Sequence, residues 1–195
     1  MNPISTAKLT YADFLRFPDD GQRHELIDGV HCVTPSPATV HQRLVVRLAV
    51  ELAACLEASS LGEVFIAPFD VVLSQHDVLE PDLLVVLNNQ QGILTDQHVR
   101  GAPALVIEVL SPGTRRRDEG AKRRAYDRFG VQEYWLVNPA SRAIAVLRQH
   151  GGELVVHSSL TADAESKLTT PLLPDLNIDV RRLFAEPAAP PPSVR

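Results

Sequence analysis

Two apolar runs, Leu83 to Leu87 and Ala104 to Leu110, stand out from a chain whose other segments alternate in polarity. Each is bounded by Pro or Gly and rich in Val, Leu and Ile, the pattern of strands buried on both faces. Upstream, Thr10 is placed to cap a short helix, TYADFLRF, ended by Pro18. HELIDGVHCV reads as a hairpin, two alternating runs around the favoured two-residue turn Asp28-Gly29. Ser36-Pro37 offers a helix cap with proline at the first helical position, and the helix continues to about Ala58. On it His41, Leu44, Leu48, Leu52 and Cys55 line one face, with Glu51 at its margin. Gly62 ends that segment, and VFIAP and FDVVLS follow as strands, with Asp70 opening the second.

The strand Asp82 to Leu87 comes next, then a polar loop, NNQQGILTDQHVRGAP, then the strand holding Glu108. Ser111-Pro112-Gly113 breaks that strand, and a helix from Thr114 to Phe129 is closed by Gly130. VQEYWLV and AIAVLR form a hairpin across Asn138 to Ser141, and ELVVHSSL is its third member. After Pro174 the pattern weakens to a short element around Val180 to Phe184, and EPAAPPPSVR reads as a disordered or polyproline tail. The order predicts an α/β (α+β) fold, a mixed central sheet flanked by helices, in one domain over 1–185 with a tail at 186–195. No GxGxxG or P-loop motif is present.

Candidate chemistry enters through the carboxylates. Asp82 opens the first apolar run and Glu108 sits near the end of the second. A buried carboxylate is neutralised, paired or bound to a cation, because leaving it alone is expensive. At about 100° per residue, Asp118, Lys122, Ala125, Tyr126 and Phe129 share one face of the helix that follows, and Lys122 stands where an apolar residue is expected. Arg116, Arg117, Arg123, Arg124 and Arg128 lie around the rest of the cylinder. A structural ion pair would explain Lys122 as well as a functional site would.

Composition changes this picture in two places. The 195 residues, 45% hydrophobic and 22% charged, suit a globular domain with its own core. Net charge is −5, which argues against a general polyanion binder. Residues 115–128, however, carry a local +4, leaving −9 elsewhere, and Arg115, Arg116, Arg117, Arg123 and Arg124 can meet phosphates. With no export signal and no apolar run of membrane length, a cytoplasmic location is the default and no membrane partner is expected. Cys32 and Cys55 lie in apolar settings, form no zinc spacing and read as reduced core thiols.

Two carboxylates on neighbouring strands suit a hard divalent cation, Mg²⁺ or Mn²⁺, as metal ligands. With a lysine beside them they point to metal-assisted phosphodiester hydrolysis, the basic helix holding the phosphate backbone. A glycosidase also uses two carboxylates but gives Lys122 and the arginines no role. Ser111 has no evident His partner.

PDLLVVL, then APALVIEVLSPGTRRRDEGAKRRAYDRFGVQEYWLVNP, together with the upstream HELIDG hairpin, resembles the Uma-two family of restriction endonucleases, in the PD-(D/E)XK superfamily. The resemblance covers roughly residues 10 to 150 and implies a restriction-endonuclease-like fold. It implies that Asp82 is the aspartate of the PD motif and Glu108 the acid of the (D/E)XK half-motif, both binding metal. Leu110 stands where the usual lysine would be, and the resemblance implies that Lys122 takes its part. Glu25 matches the glutamate of the ELIDG hairpin, a further acidic member, and His41 the histidine that opens the long helix, in a secondary role. The expected activity is a Mg²⁺-dependent DNA endonuclease, acting as a homodimer and needing no organic cofactor. A catalytically silent nucleic-acid-binding or protein-interaction module on the same fold is the alternative.

Overall fold

The computed structural model describes residues 7–187. Most of the expected Pro-rich tail, from residue 188 on, lies outside them. Helix α1 (Tyr11–Phe14) starts at a capping box in which Thr10 and Asp13 bond to each other's backbone. Strands β1 (Arg23–Ile27) and β2 (Val30–Thr34) form the expected hairpin. Its turn residues Asp28 and Gly29 both take positive φ, 53° and 74°, as a type I′ turn requires.

Helix α2 (Thr39–Ser59) begins two residues later than the Ser36-Pro37 signal predicts, and its cap, Ala38, makes no side-chain bond. The residue that leads into the helix is Ala38, itself extended at φ −73° and ψ 161°. Its C-terminus is likewise Ser60, in the left-handed region at φ 52°, and not Gly62. Gly62 opens β3 (Gly62–Ile66), where a Cβ would lie 2.3 Å from the Val86 carbonyl oxygen, so its role is close strand approach. Cys32 and Cys55 are free thiols but only half-buried, packed against the core clusters rather than within them as expected.

β6 (Leu83–Leu87), β8 (Leu105–Val109), β9 (Glu133–Asn138), β10 (Ala143–His150) and β11 (Glu153–Thr161) join β3 in a six-stranded mixed sheet, order β11-β10-β9-β8-β6-β3. Its parallel pair, β8 and β9, is joined by the basic helix as a crossover. One face packs on α2, whose Leu44, Leu48, Leu52 and Leu56 meet Leu83, Val85, Leu105 and Ile107. Glu51 is exposed.

A smaller sheet, order β2-β1-β5-β4-β7, adds three two-residue strands: β4 (Val71–Val72), β5 (Val78–Leu79) and β7 (Val99–Arg100). Strands β5 and β7 are too short to announce themselves in sequence. The polar loop also contains a 3₁₀ turn, Asn88–Ile93. Beyond 162, where only a weak pattern is legible, β12 (Lys167–Thr170) and β13 (Leu173–Asp179) form a hairpin. Leu168, Leu173, Leu176 and Ile178 from it join the α2 core, and prolines at 171 and 174 mask the alternation. A last turn of helix, Val180–Leu183, matches the terminal element. No helix among the described residues is long and apolar enough to cross a membrane.

The basic helix is one rod in three parts: α3 (Arg115–Arg117), a π-helical segment (Asp118–Lys122) and α4 (Arg123–Phe129), closed by Gly130 at φ 81°. It lies on the sheet face opposite α2, where Ala125 and Tyr126 pack with Val106, Tyr134 and Leu136.

Candidate active site

Strand pairing builds the site. Leu83 faces Ile107 across the antiparallel ladder of β6 and β8, which sets Asp82, just before β6, opposite Glu108. The period of two turns both away from Leu83 and Ile107, toward the face that carries the basic helix. Both carboxylates are buried yet line a cleft of about 230 Å³, with Lys122, Asp118, Arg117, Arg23 and His41 also in its walls.

Lys122 is fully buried among acids. Its Nζ lies 2.8 Å from Glu108 Oε1, 2.7 Å from Glu25 Oε1 and 3.8 Å from Asp118 Oδ1. Burial alone would discharge the ammonium, but Glu108, Glu25 and Asp118 keep its proton affinity above that of a free lysine. Glu25 is wholly buried, and burial would neutralise it. Lys122, the Glu80 N–H and Arg117 hold it below its ordinary range. Glu108 goes the other way. Burial pushes its pKa well up, Lys122 offsets part of this, and Asp118, Asp82 and Glu25 add repulsion. Tyr126 donates its hydroxyl to the same Oε1 at 3.2 Å.

Asp82 is held from three sides. Arg23 Nη1 donates to Oδ1 at 3.0 Å; His41 Nε2 lies 3.0 Å from Oδ2, which also accepts the Val109 N–H at 2.8 Å. Burial would raise its pKa, but the His41 bond and charge, Arg23 and the Val109 amide bring it down to about 2. Arg23 also contacts Glu80 Oε1 through Nε at 2.6 Å. Glu80 is pushed up to about 7 by burial, against the pull of Arg23 and with Glu25 and Asp70 adding repulsion.

Among the described residues no group of three or more His, Cys, Asp or Glu side chains is arranged to hold a metal ion. Asp82 and Glu108 are hard oxygen donors lining the same cleft; both hydrogen bonds of Glu108 fall on Oε1, whereas Oδ1 and Oδ2 of Asp82 already meet Arg23, His41 and the Val109 amide. Mg²⁺ is ordinarily bound by one or two carboxylates with water completing its shell. A cation would also relieve the repulsion that raises the proton affinity of Glu108.

Asp82, Glu108, Lys122, Glu25 and His41 therefore converge. The arginines divide. Arg116 and Arg124 are exposed, and Arg115 is exposed in an ion pair with Glu119 at 2.9 Å. Arg117, expected on the outer surface, turns inward to 3.5 Å from Glu25 Oε2, and Arg123 is half-buried, donating to the Leu154 carbonyl at 2.7 Å. The π-helical segment between α3 and α4 breaks the 100° spacing on which the outward placement rested. Arg23, Glu80 and Asp118 were missed as site members. Arg23 shares a strand face with Glu25, and Glu80 stands two positions before Asp82, so the period of two was the available signal.

No curated protein matches the chain. A solved structure, described as "a putative nuclease belonging to DUF820 from Anabaena variabilis ATCC 29413", aligns with a TM-score of 0.75 over 90% of this chain and 97% of that one, at 19% identity. It shows that the two share a fold. A family model described as "Putative restriction endonuclease" matches residues 11–181 and so takes in both opposed carboxylates, Glu25 and the basic helix. By that match the chain belongs to the Uma2 (Uma-two) family of nuclease-like proteins.

Proposed function

We propose that the chain is a Mg²⁺- or Mn²⁺-dependent endonuclease that hydrolyses phosphodiester bonds of DNA. One observation carries the reading: two buried carboxylates from adjacent strands, Asp82 and Glu108, open on one cleft with the Lys122 ammonium 2.8 Å from Glu108. Asp82 and Glu108 would hold the cation. When bound, it would supply Lewis-acid polarisation of the phosphate and a water of lowered pKa. Arg23 and His41 fix the orientation of Asp82. Lys122 and Arg117 place positive charge beside the position where phosphate charge builds. The exposed Arg115, Arg116 and Arg124 are the residues available to the flanking backbone. Cutting both strands of a duplex suits two chains related by a two-fold axis, so a homodimer belongs to the same proposal. No organic cofactor is needed.

The test is cleavage of supercoiled plasmid with and without Mg²⁺ or Mn²⁺. Wild type should nick or linearise the plasmid with either metal, and Glu108→Gln should not. Cleavage that persists in EDTA, or that Glu108→Gln leaves unchanged, would overturn the assignment. A second reading is favoured by the closure of Lys122 onto Glu25 at 2.7 Å. A lysine bridging two buried acids also serves as a structural clamp, in a module that binds nucleic acid or protein without cutting. Plasmid left intact under both metals, despite DNA binding, would favour that reading.

A further inference from the structure

A second cavity, of about 590 Å³, abuts the cleft and shares Arg23, Pro37, His41 and Asp82 with it. Its size falls in the ~300–1,000 Å³ range of small-ligand sites, ample for one nucleoside. The walls are aliphatic: Val46 and Val50 from the outer side of α2 and Ile66 from the end of β3, exposed by 58%, 62% and 53%. Large aliphatic side chains gathered at one hollow and left open to solvent mark a surface that something covers. The polar lining is different in kind. Arg23, Glu80 and Asp82 are among its members, with Gln22 and Gln42 adding side-chain amides. Glu80 is 5% exposed and steadied by Arg23.

This mixture matches a nucleobase, which has two apolar faces and a hydrogen-bonding edge. Continuity with the cleft selects the occupant. A phosphate lying against Asp82 in the cleft has its own sugar and base within reach of the cavity, since Asp82 borders both. A base that remains paired and stacked in a duplex cannot enter a concave site, so the nucleotide must be unpaired.

We propose that this cavity receives the base of an unpaired nucleotide adjoining the scissile phosphate. The substrate is then single-stranded DNA, or a duplex from which one nucleotide has been turned out. Val46, Val50 and Ile66 contact the base faces, and Gln22, Gln42 and Glu80 meet its polar edge. The inference rests on the nuclease reading of Asp82 and Glu108, and it deepens that reading by naming the strandedness of the substrate.

The experiment reads binding rather than cleavage, by fluorescence anisotropy with Ca²⁺ in place of Mg²⁺. Three probes of about twelve nucleotides, within the reach of a single-strand site, are compared: an oligothymidylate, an abasic strand with the same phosphates, and a duplex. Wild type should bind the oligothymidylate roughly tenfold or more tightly than the abasic strand, the scale of one bound base, with the duplex also weaker. The double variant Val50→Gln, Ile66→Gln should reduce the preference for bases to about twofold. Both positions are exposed, so its melting curve should match wild type, and Val156→Gln, an exposed site on β11, is the control. Equal affinity for the oligothymidylate and abasic strands, or a preference unchanged in the double variant, would overturn the proposal. So would self-association that the double variant weakens while single-strand affinity stays constant, which would assign the wall to a contact between copies of the chain. An intact preference for bases without cleavage would sink the nuclease reading and leave the cavity assignment standing. Metal-dependent cleavage with no preference for bases would do the reverse.

Discussion

Lys122 and Asp82 show how much depends on single groups. Lys122 is wedged between Glu25 and Glu108, with distances of 2.7 and 2.8 Å. Lys122→Met leaves two buried acids facing each other, and breaking a buried pair costs about 3–5 kcal/mol. Urea unfolding should record that loss, and adding Glu25→Gln to Lys122→Met should restore part of it. Strictly additive costs would mean that Lys122 and Glu25 are not coupled. Asp82 carries the opposite lesson. Relief of repulsion with Glu108 would by itself let Asp82→Ala raise the melting temperature. Arg23, His41 and the Val109 amide all bond to Asp82, so its removal orphans donors, and calorimetry should show a lower melting temperature. Because its folded pKa is depressed to about 2 from 3.8, its contribution is fully present above pH 3.8 and is lost as pH falls through 2. Stability followed between pH 4 and 2 should fall less steeply in Asp82→Asn, by roughly 2 kcal/mol across the window.

At the scale of elements, the basic helix has two sides with different work. Arg116 and Arg124 are exposed, whereas Arg117 reaches Glu25 and Arg123 is tied to Leu154. Charge-removing changes Arg116→Gln and Arg124→Gln should weaken DNA binding and flatten its salt dependence, by about 0.9 in slope for each phosphate no longer neutralised. Arg117→Gln should lower stability as well as binding, since it removes a partner of the buried Glu25. A salt slope left unchanged by all three would make the exposed arginines a solvated face. The approach of β3 to β6 is a second element-level dependency. Gly62→Ala would press a Cβ against the Val86 carbonyl, and a loss of about 1–3 kcal/mol in chemical denaturation is expected.

The whole molecule places two helices on opposite faces of one sheet and lets both reach its acidic end. His41 comes from α2, Lys122 from the basic helix, Arg23 and Glu25 from the small sheet. A cation that binds this assembly and not the unfolded chain stabilises it by mass action. Addition of Mn²⁺ should therefore raise the melting temperature of wild type and leave that of Asp82→Asn unmoved. A shift of the same size in both would place the ion elsewhere.

Asp82, Glu108 and Lys122 were legible in the sequence because each breaks a local pattern: a charge in an apolar run, or on the inward stripe of a helix. The hairpin turn at Asp28-Gly29 and the crossover between β8 and β9 follow from equally local chemistry. The partners of those three residues were not legible, since nothing local connects Glu25 with Lys122 or Arg23 with Asp82 across so much intervening chain. That pairing is made when the small sheet docks on the large one. The inward turn of Arg117 depends on the π-helical segment, whose altered spacing no count at 100° per residue anticipates. The C-terminal hairpin was hidden for a related reason. Its apolar positions are few, and only packing against α2 gives Leu168, Leu173, Leu176 and Ile178 a common face to bury. Local composition and period set which residues carry charge into the core. Long-range packing set which charges meet, because the cost of burying a charge is relieved only by a partner that the fold brings to it.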